Sequence, residues 1–310
     1  MPRERQWADA EPSALAVSQR SVLVAGQRLI VGRTAPGLHV VATPIGHLDD
    51  ITLRALKTLA GVDLVACEDT RVTGRLLTHY GIDVAMTPYH EHNAAAQRPK
   101  ILARLAEGAA IALVSDAGTP LVSDPGFRLV RESAAAGHVL IPVPGPSAAL
   151  TALMVAGLPT DCFFFAGFLP AKGVSRRGRI DELARVPSSL VFFETGPRLG
   201  DSLADLAACL GARPAAMCRE LTKLHETVER GTLPELAERF SGIEPKGEIV
   251  LVIGPPLVEK ISPEDVEEAL KAALKRLSLK DATAEIAGAF GVSRREIYAR
   301  ALALGRDDEP

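Results

Sequence analysis

Two aspartates stand in a loop rich in glycine and proline, which reads "LVSDAGTPLVSDPG" from Leu113 to Gly126. The apolar run "AAIALV" leads into it, so the loop is predicted to follow a buried strand. Its glycines and small residues let backbone N–H and C=O groups approach a ligand closely. Asp116 and Asp124 would repel a pyrophosphate but suit a ligand that presents hydroxyls, amines or a cation. The loop therefore points to a nucleoside with a positive centre.

Two further loops share this character, "TPIGHLDD" after an earlier predicted strand and "PGPSA" after a later one. Ligands of open parallel sheets bind where the loops at the carboxyl ends of the strands converge. The three loops together predict one ligand site, although each alone also fits an ordinary tight turn. The motifs G-x-G-x-x-G and G-x-x-x-x-G-K-[ST] are absent from the sequence, which argues against a nicotinamide site and against a P-loop.

The elements that must position these loops alternate between strand and helix from Leu38 onward, which predicts a mostly parallel, helix-covered sheet. Strands dominate the next part of the chain and indicate a second, α+β subdomain, and the C-terminal part turns wholly helical. The run "SVLVAGQRLIVG" near the N-terminus is compatible with a short hairpin. The predicted boundaries are 1–36 for an extension, 37–157 and 158–256 for the two subdomains, and 257–310 for a helical appendage.

Composition restricts the class of protein. The chain has 310 residues, a formal net charge of −3 and only 4% aromatic residues, so a nucleic-acid partner would have to be met by a local basic patch rather than by an extended aromatic platform. The four cysteines form no C-x-x-C pair and indicate reduced thiols, which favours a cytoplasmic location. No run is long and apolar enough to suggest a membrane span.

Several motifs occur in a characteristic order: "VATPIGHLDDITLRAL", "EDTR", "LVSDAGTPLVSDPG", "PGPSA", "GFLP" followed by Lys172, and "RELTK". Together they resemble the tetrapyrrole methylase superfamily and, within it, the ribosomal RNA small subunit methyltransferase I branch, over roughly Leu38 to Pro255. The resemblance implies a two-domain α/β methyltransferase that binds S-adenosylmethionine between its domains. It further implies methylation of a cytidine ribose 2′-hydroxyl in small-subunit (16S) ribosomal RNA or the 30S subunit, by a homodimer.

The resemblance also implies a set of cofactor-binding residues on the three loops and at the end of the strand "LVFFE". They are Pro44, Ile45, Asp116, Ala117, Gly118, Thr119, Val122, Ser147, Ala148 and Glu194. The sequence departs from the usual family pattern at His47, where the family usually has Asn. It departs again at "TGPR", where the family often has "APHR" or "STHR", and this leaves Thr195 and Gly196 without an assigned role.

A ribose hydroxyl becomes a good nucleophile only when its proton leaves, so the site needs a base or an electrostatic aid. The candidates are Glu68 and Asp69 of "EDTR", Asp124, and Lys172 acting on the developing alkoxide. Glu68 and Asp69 equally fit a pair that is salt-bridged to Arg71. Asp124 equally fits a plain helix cap. The sequence does not choose between these alternatives.

RNA binding requires cations, and the segment "AKGVSRRGR" supplies Lys172, Arg176, Arg177 and Arg179 in what is predicted to be one loop. A solvated surface loop is the alternative interpretation. The pattern "GVSRREIYARAL" in the tail is typical of a helix-turn-helix, with a turn at Gly291, and resembles the tail of the same branch. The tail is not net basic, so docking onto RNA or the ribosome, or simple packing, fits it better than DNA binding.

Two alternative functions and one alternative site remain open. A tetrapyrrole C-methyltransferase would keep the fold and the cofactor but would need neither the basic segment nor the tail. A non-enzymatic nucleic-acid regulator would use the tail but leave the three loops unexplained. The motif "HEH" at His90 to His92 is compatible with a metal site, but no third ligand is evident and no metal is predicted.

Overall fold

The computed structural model describes residues 20–123, 126–257 and 263–307. The chain divides between Pro255 and Pro256 into two compact units. Asp124, the candidate base or helix cap, lies outside the described residues, as does most of the predicted extension. Among the described residues, no helix combines the length and the apolar character that crossing a lipid bilayer requires.

The described chain begins with a hairpin of two antiparallel strands, β1 (Ser21–Val24) and β2 (Gln27–Ile30). Its turn residues, Ala25 and Gly26, both have positive φ, as tight hairpin turns require. Val22 is buried in the core of the neighbouring sheet. The hairpin that the sequence allowed is therefore present, and it packs onto the body of the protein.

A parallel sheet of five strands forms the first half of this unit, in the order β5-β4-β6-β3-β7. The strands are β3 (Gly37–Val41), β4 (Leu64–Cys67), β5 (Met86–Pro88), β6 (Ala110–Leu113) and β7 (Leu140–Val143). The helices that follow them are α1 (Leu53–Gly61), α2 (Thr70–His79), α3 (Ala94–Ala106), α4 (Phe127–Ala135) and α5 (Ala148–Ala156). The predicted parallel, helix-covered sheet is confirmed, and its strands all point their carboxyl ends to one edge.

Helices cover both faces of this sheet because each presents an apolar stripe to it. On one face, Leu56 of α1 and Leu76 of α2 belong to one buried cluster. On the other face, Ile101 of α3 and Leu129 of α4 belong to a second cluster. The strands β4 and β6 are buried along their whole length, as expected for central strands covered on both sides.

A second sheet of five strands follows in the order β11-β10-β12-β9-β8, and it is mixed: β8 pairs parallel to β9, whereas the other pairs are antiparallel. Its strands are β8 (Phe163–Phe168), β9 (Ser189–Thr195), β10 (Pro214–Arg219), β11 (Thr227–Thr232) and β12 (Glu248–Ile253). Its helices are α6 (Gly173–Leu183), α7 (Gly196–Leu210) and α8 (Leu233–Arg239). The helix α5 covers the remaining face, where Ala152 and Leu153 pack against Val191 and Val250. A single helix thus connects the first sheet to the second.

The second unit is helical, as the sequence predicted, and consists of α9 (Pro263–Leu274), α10 (Leu279–Phe290) and α11 (Arg294–Asp307). Leu270, Ile286 and Ile297 are buried at its centre. Gly291 ends α10 with φ +64°, a left-handed conformation that glycine adopts without strain. The turn predicted at this glycine is therefore present.

Asp63, immediately before β4, anchors the N-terminal segment. Its carboxylate accepts hydrogen bonds from Arg20 (2.9 Å), Arg33 (2.8 Å) and the N–H of Ala110 (2.9 Å). Burial alone would raise the pKa of this carboxyl, but these hydrogen bonds outweigh it and hold the pKa well below its usual value.

The substitution Asp63→Asn is expected to lower the free energy of unfolding by about 1–3 kcal/mol near neutral pH, because the charged hydrogen bonds are lost. The pKa of Asp63 is lower in the folded than in the unfolded chain. The stabilisation is therefore fully present above the ordinary aspartate pKa and is lost as the pH falls through that value toward the folded one. Urea denaturation at several pH values measures both effects. Asp83→Asn, at an exposed position without a described partner, is the control, and an equal loss there would contradict the assignment.

Candidate active site

The three loops predicted to converge are hydrogen-bonded to one another at the carboxyl edge of the first sheet. Thr43, after β3, and Gly118, after β6, exchange two backbone hydrogen bonds of 2.9 and 3.1 Å. The Thr119 hydroxyl donates to the carbonyl oxygen of Pro146, in the loop before α5, at 2.9 Å. These bonds hold the loops after β3, β6 and β7 as one assembly.

The central loop adopts unusual backbone conformations. Gly118 has φ +82°, and two residues with side chains, Leu121 and Ser123, have φ +75° and +63°. A left-handed conformation costs a residue with a side chain roughly 1–2 kcal/mol. Such strain persists only where surrounding contacts impose it, and it clusters at functional sites. The loop is therefore shaped by its surroundings rather than by local preference.

A cavity of ≈ 330 Å³ opens beside these loops, between the two sheets. Its walls come from the ends of β3, β4, β6, β8 and β9, from the start of α5 and from the start of β12. The lining residues are Ile45, Glu68, Asp116, Ala117, Gly118, Thr119, Val122, Ser123, Ser147, Ala148, Phe168, Phe193, Glu194, Thr195, Gly247, Glu248, Ile249 and Val250. Its size falls within the range of sites for small molecules and cofactors.

The structure brings together almost the whole set of residues that the resemblance implied for cofactor binding. Every one of them except Pro44 lines this cavity. Pro44 lines a neighbouring cavity of ≈ 290 Å³, which shares Ile45, Asp116, Ala117 and Glu248 with the first. Their individual roles stay predictions, but their common location is now a fact of the fold.

Four carboxylates line the larger cavity, and two of them form ion pairs. Glu194 accepts hydrogen bonds from the Ser202 hydroxyl at 2.6 Å and the Thr195 N–H at 2.9 Å, and lies 3.3 Å from the Arg198 guanidinium. Glu248 forms an ion pair of 2.9 Å with Lys223. Glu68 and Asp116 form no ion pair with any described residue, so the cavity carries negative charge that a cationic ligand would balance.

Glu68 is the carboxylate best suited to take up a proton. It is partly buried and accepts no hydrogen bond from any described residue. Burial, followed by the neighbouring Asp116 carboxylate, raises the pKa of Glu68, and His90 partly offsets the rise. Burial likewise raises the pKa of Asp116, although its Oδ1 accepts a hydrogen bond of 2.9 Å from the Asp69 N–H. A base with a raised pKa keeps a transferred proton more readily.

Asp69, the second acid of "EDTR", is engaged elsewhere. Its carboxylate caps α2 by accepting from the Arg71 N–H at 2.8 Å, and it forms an ion pair of 2.6 Å with the Arg71 guanidinium. The hydrogen bonds from Arg71 lower the pKa of Asp69 to about 2. The salt-bridged alternative therefore describes Asp69, whereas Glu68 faces the cavity.

His90 lies next to this acidic cluster, two residues beyond the end of β5. Its Nδ1 is buried and has no hydrogen-bond partner among the described residues. Its backbone N–H is held by the Asn93 side chain at 2.9 Å. The His90 and His92 rings are 6.0 Å apart, and no group of three metal-binding side chains exists within the described parts of the chain.

The basic segment after "GFLP" is a helix, α6, and this corrects the predicted loop. Arg176 is buried and pairs with Asp205 at 2.6 Å, because α6 packs against α7. Arg177 pairs with the same Asp205 at 3.1 Å, and Arg179 pairs with Glu182 at 2.8 Å. Lys172 is exposed at the N-cap of α6 and is not among the residues that line either cavity. RNA binding by this cluster, and a catalytic role for Lys172, stay predictions.

Part of the cavity wall was missed by sequence reasoning. Phe168 and Phe193, whose ring centroids are 5.6 Å apart, form its apolar end, and Gly247–Val250 form its far side. Both aromatic residues belong to motifs of the sequence, "GFLP" and "LVFFE", but the motifs alone do not indicate that these rings contact a ligand. The start of β12 reaches the site because Glu248 pairs with Thr195 in the antiparallel sheet, a pairing that no local pattern reveals.

Two family models match the chain. The first describes tetrapyrrole (corrin/porphyrin) methylases and matches residues 37–237. The second describes the RsmI C-terminal HTH domain and matches residues 260–305.

Curated proteins are similar over most of the chain. A protein of Mesorhizobium japonicum named ribosomal RNA small subunit methyltransferase I is 49% identical over 271 residues, which is 87% of this chain and 92% of that protein. A protein of the same name from Escherichia coli O157:H7 is 46% identical over 269 residues, 86% of this chain and 94% of that protein.

Solved structures share the fold at low identity. The methyltransferase CobJ superposes with a TM-score of 0.55 at 18% identity, covering 74% of this chain and 98% of that one. Diphthine synthase superposes with a TM-score of 0.56 at 14% identity, covering 70% and 89%. A uroporphyrin-III C-methyltransferase from Thermus thermophilus, complexed with S-adenosylhomocysteine, gives a TM-score of 0.50 at 20% identity, covering 70% and 97%.

Proposed function

The chain belongs to the tetrapyrrole methylase family and, within it, to the ribosomal RNA small subunit methyltransferase I enzymes, and from this premise we propose that it methylates a cytidine ribose 2′-oxygen in 16S ribosomal RNA. The observation that carries the proposal is the similarity to those enzymes at 49% identity over 87% of the chain. A match to the C-terminal domain of the same branch, at residues 260–305, supports it. S-adenosylmethionine is the methyl donor.

The cavity suits this donor in its chemistry. Its unpaired carboxylates, Glu68 and Asp116, favour a ligand with a positive sulfonium and with hydroxyl and amino groups. Small residues such as Gly118 and Ala148 leave room and expose backbone groups. Phe168 and Phe193 supply an apolar wall. We therefore assign the predicted cofactor residues to this cavity, with Pro44 at its border.

The residues of the chain have three tasks in the reaction: to orient the reactants, to exclude water and to accept a proton. When bound, S-adenosylmethionine supplies a methyl group whose bond to sulfur breaks as the bond to the ribose oxygen forms. Glu68 takes the proton of the 2′-hydroxyl, because its carboxylate is free and has a raised pKa. Asp69 and Arg71 form the capped start of α2 and hold the backbone beside it.

Three finer assignments accompany this proposal. The active enzyme is a homodimer, as the family resemblance implies. It acts in the cytoplasm on small-subunit RNA or the 30S subunit. The helical unit of α9 to α11 docks on RNA or the ribosome, and the order of its helices and its turn at Gly291 is that of a helix-turn-helix.

The test is to incubate the protein with methyl-labelled S-adenosylmethionine and undermethylated small subunits, and then to digest the RNA. Label in a 2′-O-methylcytidine is expected. Label in an added porphyrinogen, with none in RNA, would instead support the tetrapyrrole C-methyltransferase. Absence of transfer to either, together with DNA binding that requires residues 257–310, would support the non-enzymatic regulator.

A further inference from the structure

The first turns of α4 carry an exposed aromatic ring flanked by cations. Phe127 is 64% exposed, although apolar side chains of this size usually lie in a core. The Arg131 guanidinium lies over its ring, 5.7 Å from the centroid. Arg128 and Arg131 are both exposed. We call Phe127, Arg128 and Arg131 the α4 platform.

The charges of the α4 platform have no carboxylate partner among the described residues. Arg128 and Arg131 form no ion pair with any residue that the structure describes. The nearest acid on the helix, Glu132, is occupied by Arg98 of α3 at 2.8 Å. The arginines of α6 differ in this respect, because Arg176, Arg177 and Arg179 all pair with carboxylates of α6 or α7. Within the part of the chain that the structure describes, the guanidinium groups of the α4 platform are therefore without an ion pair, whereas those of α6 are paired.

The platform also lies on the side of the molecule where the reaction takes place. The helix α4 begins at Phe127, directly after the central loop whose Val122 and Ser123 line the cavity. Helices that follow parallel strands start at the carboxyl edge of the sheet, which is the edge that carries the site. The α4 platform therefore starts at the same edge of the sheet as the cavity.

An exposed ring next to free guanidinium groups matches the chemistry of single-stranded RNA. A base stacks on an aromatic ring whatever its identity, and arginines bind the adjoining phosphates. The low aromatic content of the chain argues against a series of such rings, but a single ring needs only one residue. Double-stranded RNA does not expose base faces and would not use the ring.

We propose that the α4 platform holds a single-stranded segment of the substrate RNA at the entrance of the active site, with a base stacked on Phe127 and phosphates on Arg128 and Arg131. This inference rests on the proposed function, since it names how the RNA substrate is gripped. According to this inference, α4 and not α6 makes the principal contact with RNA.

The experiment compares Phe127→Ala and the double variant R128Q/R131Q with the matched double variant R177Q/R179Q on α6. Binding of a single-stranded oligoribonucleotide and of undermethylated 30S subunits is measured over a range of salt concentrations. Phe127→Ala is expected to weaken binding of the single strand by about tenfold. R128Q/R131Q is expected to weaken it by a similar factor and to reduce the slope of log K against log salt by about 2. R177Q/R179Q is expected to bind as the wild type does.

Folding and cofactor binding are checked separately, by thermal denaturation and by titration with S-adenosylhomocysteine, and neither is expected to change. Wild-type affinity in the α4 variants, an equal loss in the α6 variant, or an equal loss on an RNA duplex by Phe127→Ala would each overturn the inference. Failure of the wild-type protein to methylate RNA would overturn the proposed function instead, so the two failures can be told apart.

Discussion

Glu68→Gln is expected to lower kcat for methyl transfer by about 10²–10⁴-fold, the range in which loss of a general base falls. The amide keeps the size of the side chain but cannot accept the proton of the ribose hydroxyl. Because Glu68 accepts no hydrogen bond from a described residue, its replacement disturbs little else in the cavity. Single-turnover rates with saturating S-adenosylmethionine and RNA measure the change.

The same variant is expected to change the pH dependence. The rate of the wild-type enzyme is expected to rise with pH as Glu68 loses its proton, with a midpoint above the ordinary glutamate value because burial and Asp116 raise its pKa. Glu68→Gln lacks this rise. Asp69→Asn is the control: Asp69 already has a pKa of about 2, and asparagine caps a helix as well as aspartate does, so this variant should keep the rise with pH. If the rate still rises with pH in Glu68→Gln but not in Asp69→Asn, then Asp69 and not Glu68 is the general base.

Gly118→Val is expected to weaken S-adenosylmethionine binding by about 10–100-fold. A Cβ at this position would lie 3.2 Å from Cγ2 of Ile45, another wall of the cavity, and Gly118 has φ +82°. A β-branched residue would therefore displace the loop and strain the paired hydrogen bonds between Gly118 and Thr43. Isothermal titration with S-adenosylhomocysteine measures the loss of affinity.

The chain offers a close control for this substitution. Gly108, in the turn between α3 and β6, has φ +81°, but a Cβ there would meet nothing within 4 Å. Gly108→Val and Gly118→Val therefore share the backbone strain, and both should lower the free energy of unfolding, Gly118→Val by more because of its contact with Ile45. Gly108→Val should leave the affinity unchanged. Comparable losses of affinity in both variants would show that general destabilisation, and not the cavity wall, is responsible.

Sequence reasoning located much of this site because the relevant signals are local. Strands that alternate with helices usually run parallel in one sheet, so the glycine- and proline-rich turns after β3, β6 and β7 were expected at one edge. The hydrogen bonds between Thr43 and Gly118 and between Thr119 and Pro146 join these turns in the structure.

What escaped prediction depends on contacts between distant parts of the chain. The arginines of α6 look unpaired in the sequence. Asp205, which forms ion pairs with two of them, lies on α7, and the strand β9 separates the two helices along the chain. Gly247 and Glu248 entered the cavity through the antiparallel pairing of β12 with β9. The choice between Glu68 and Asp69 required the direction of each side chain, which adjacent positions in a sequence do not disclose.

The residues that line the cavity are synthesised at different times, because the ribosome makes the chain from the N-terminus onward. Ile45, Glu68 and Gly118 emerge early, whereas Glu248 and its neighbours on β12 emerge nearly at the end of the first unit. In a nascent chain that lacks β12, the cavity lacks the wall formed by Gly247–Val250, so we expect it to bind the cofactor weakly. Once β12 has paired, a ligand present at 100 times its Kd stabilises the unit by about 2.7 kcal/mol. S-adenosylmethionine would thus stabilise the unit after it has folded and would not direct its folding.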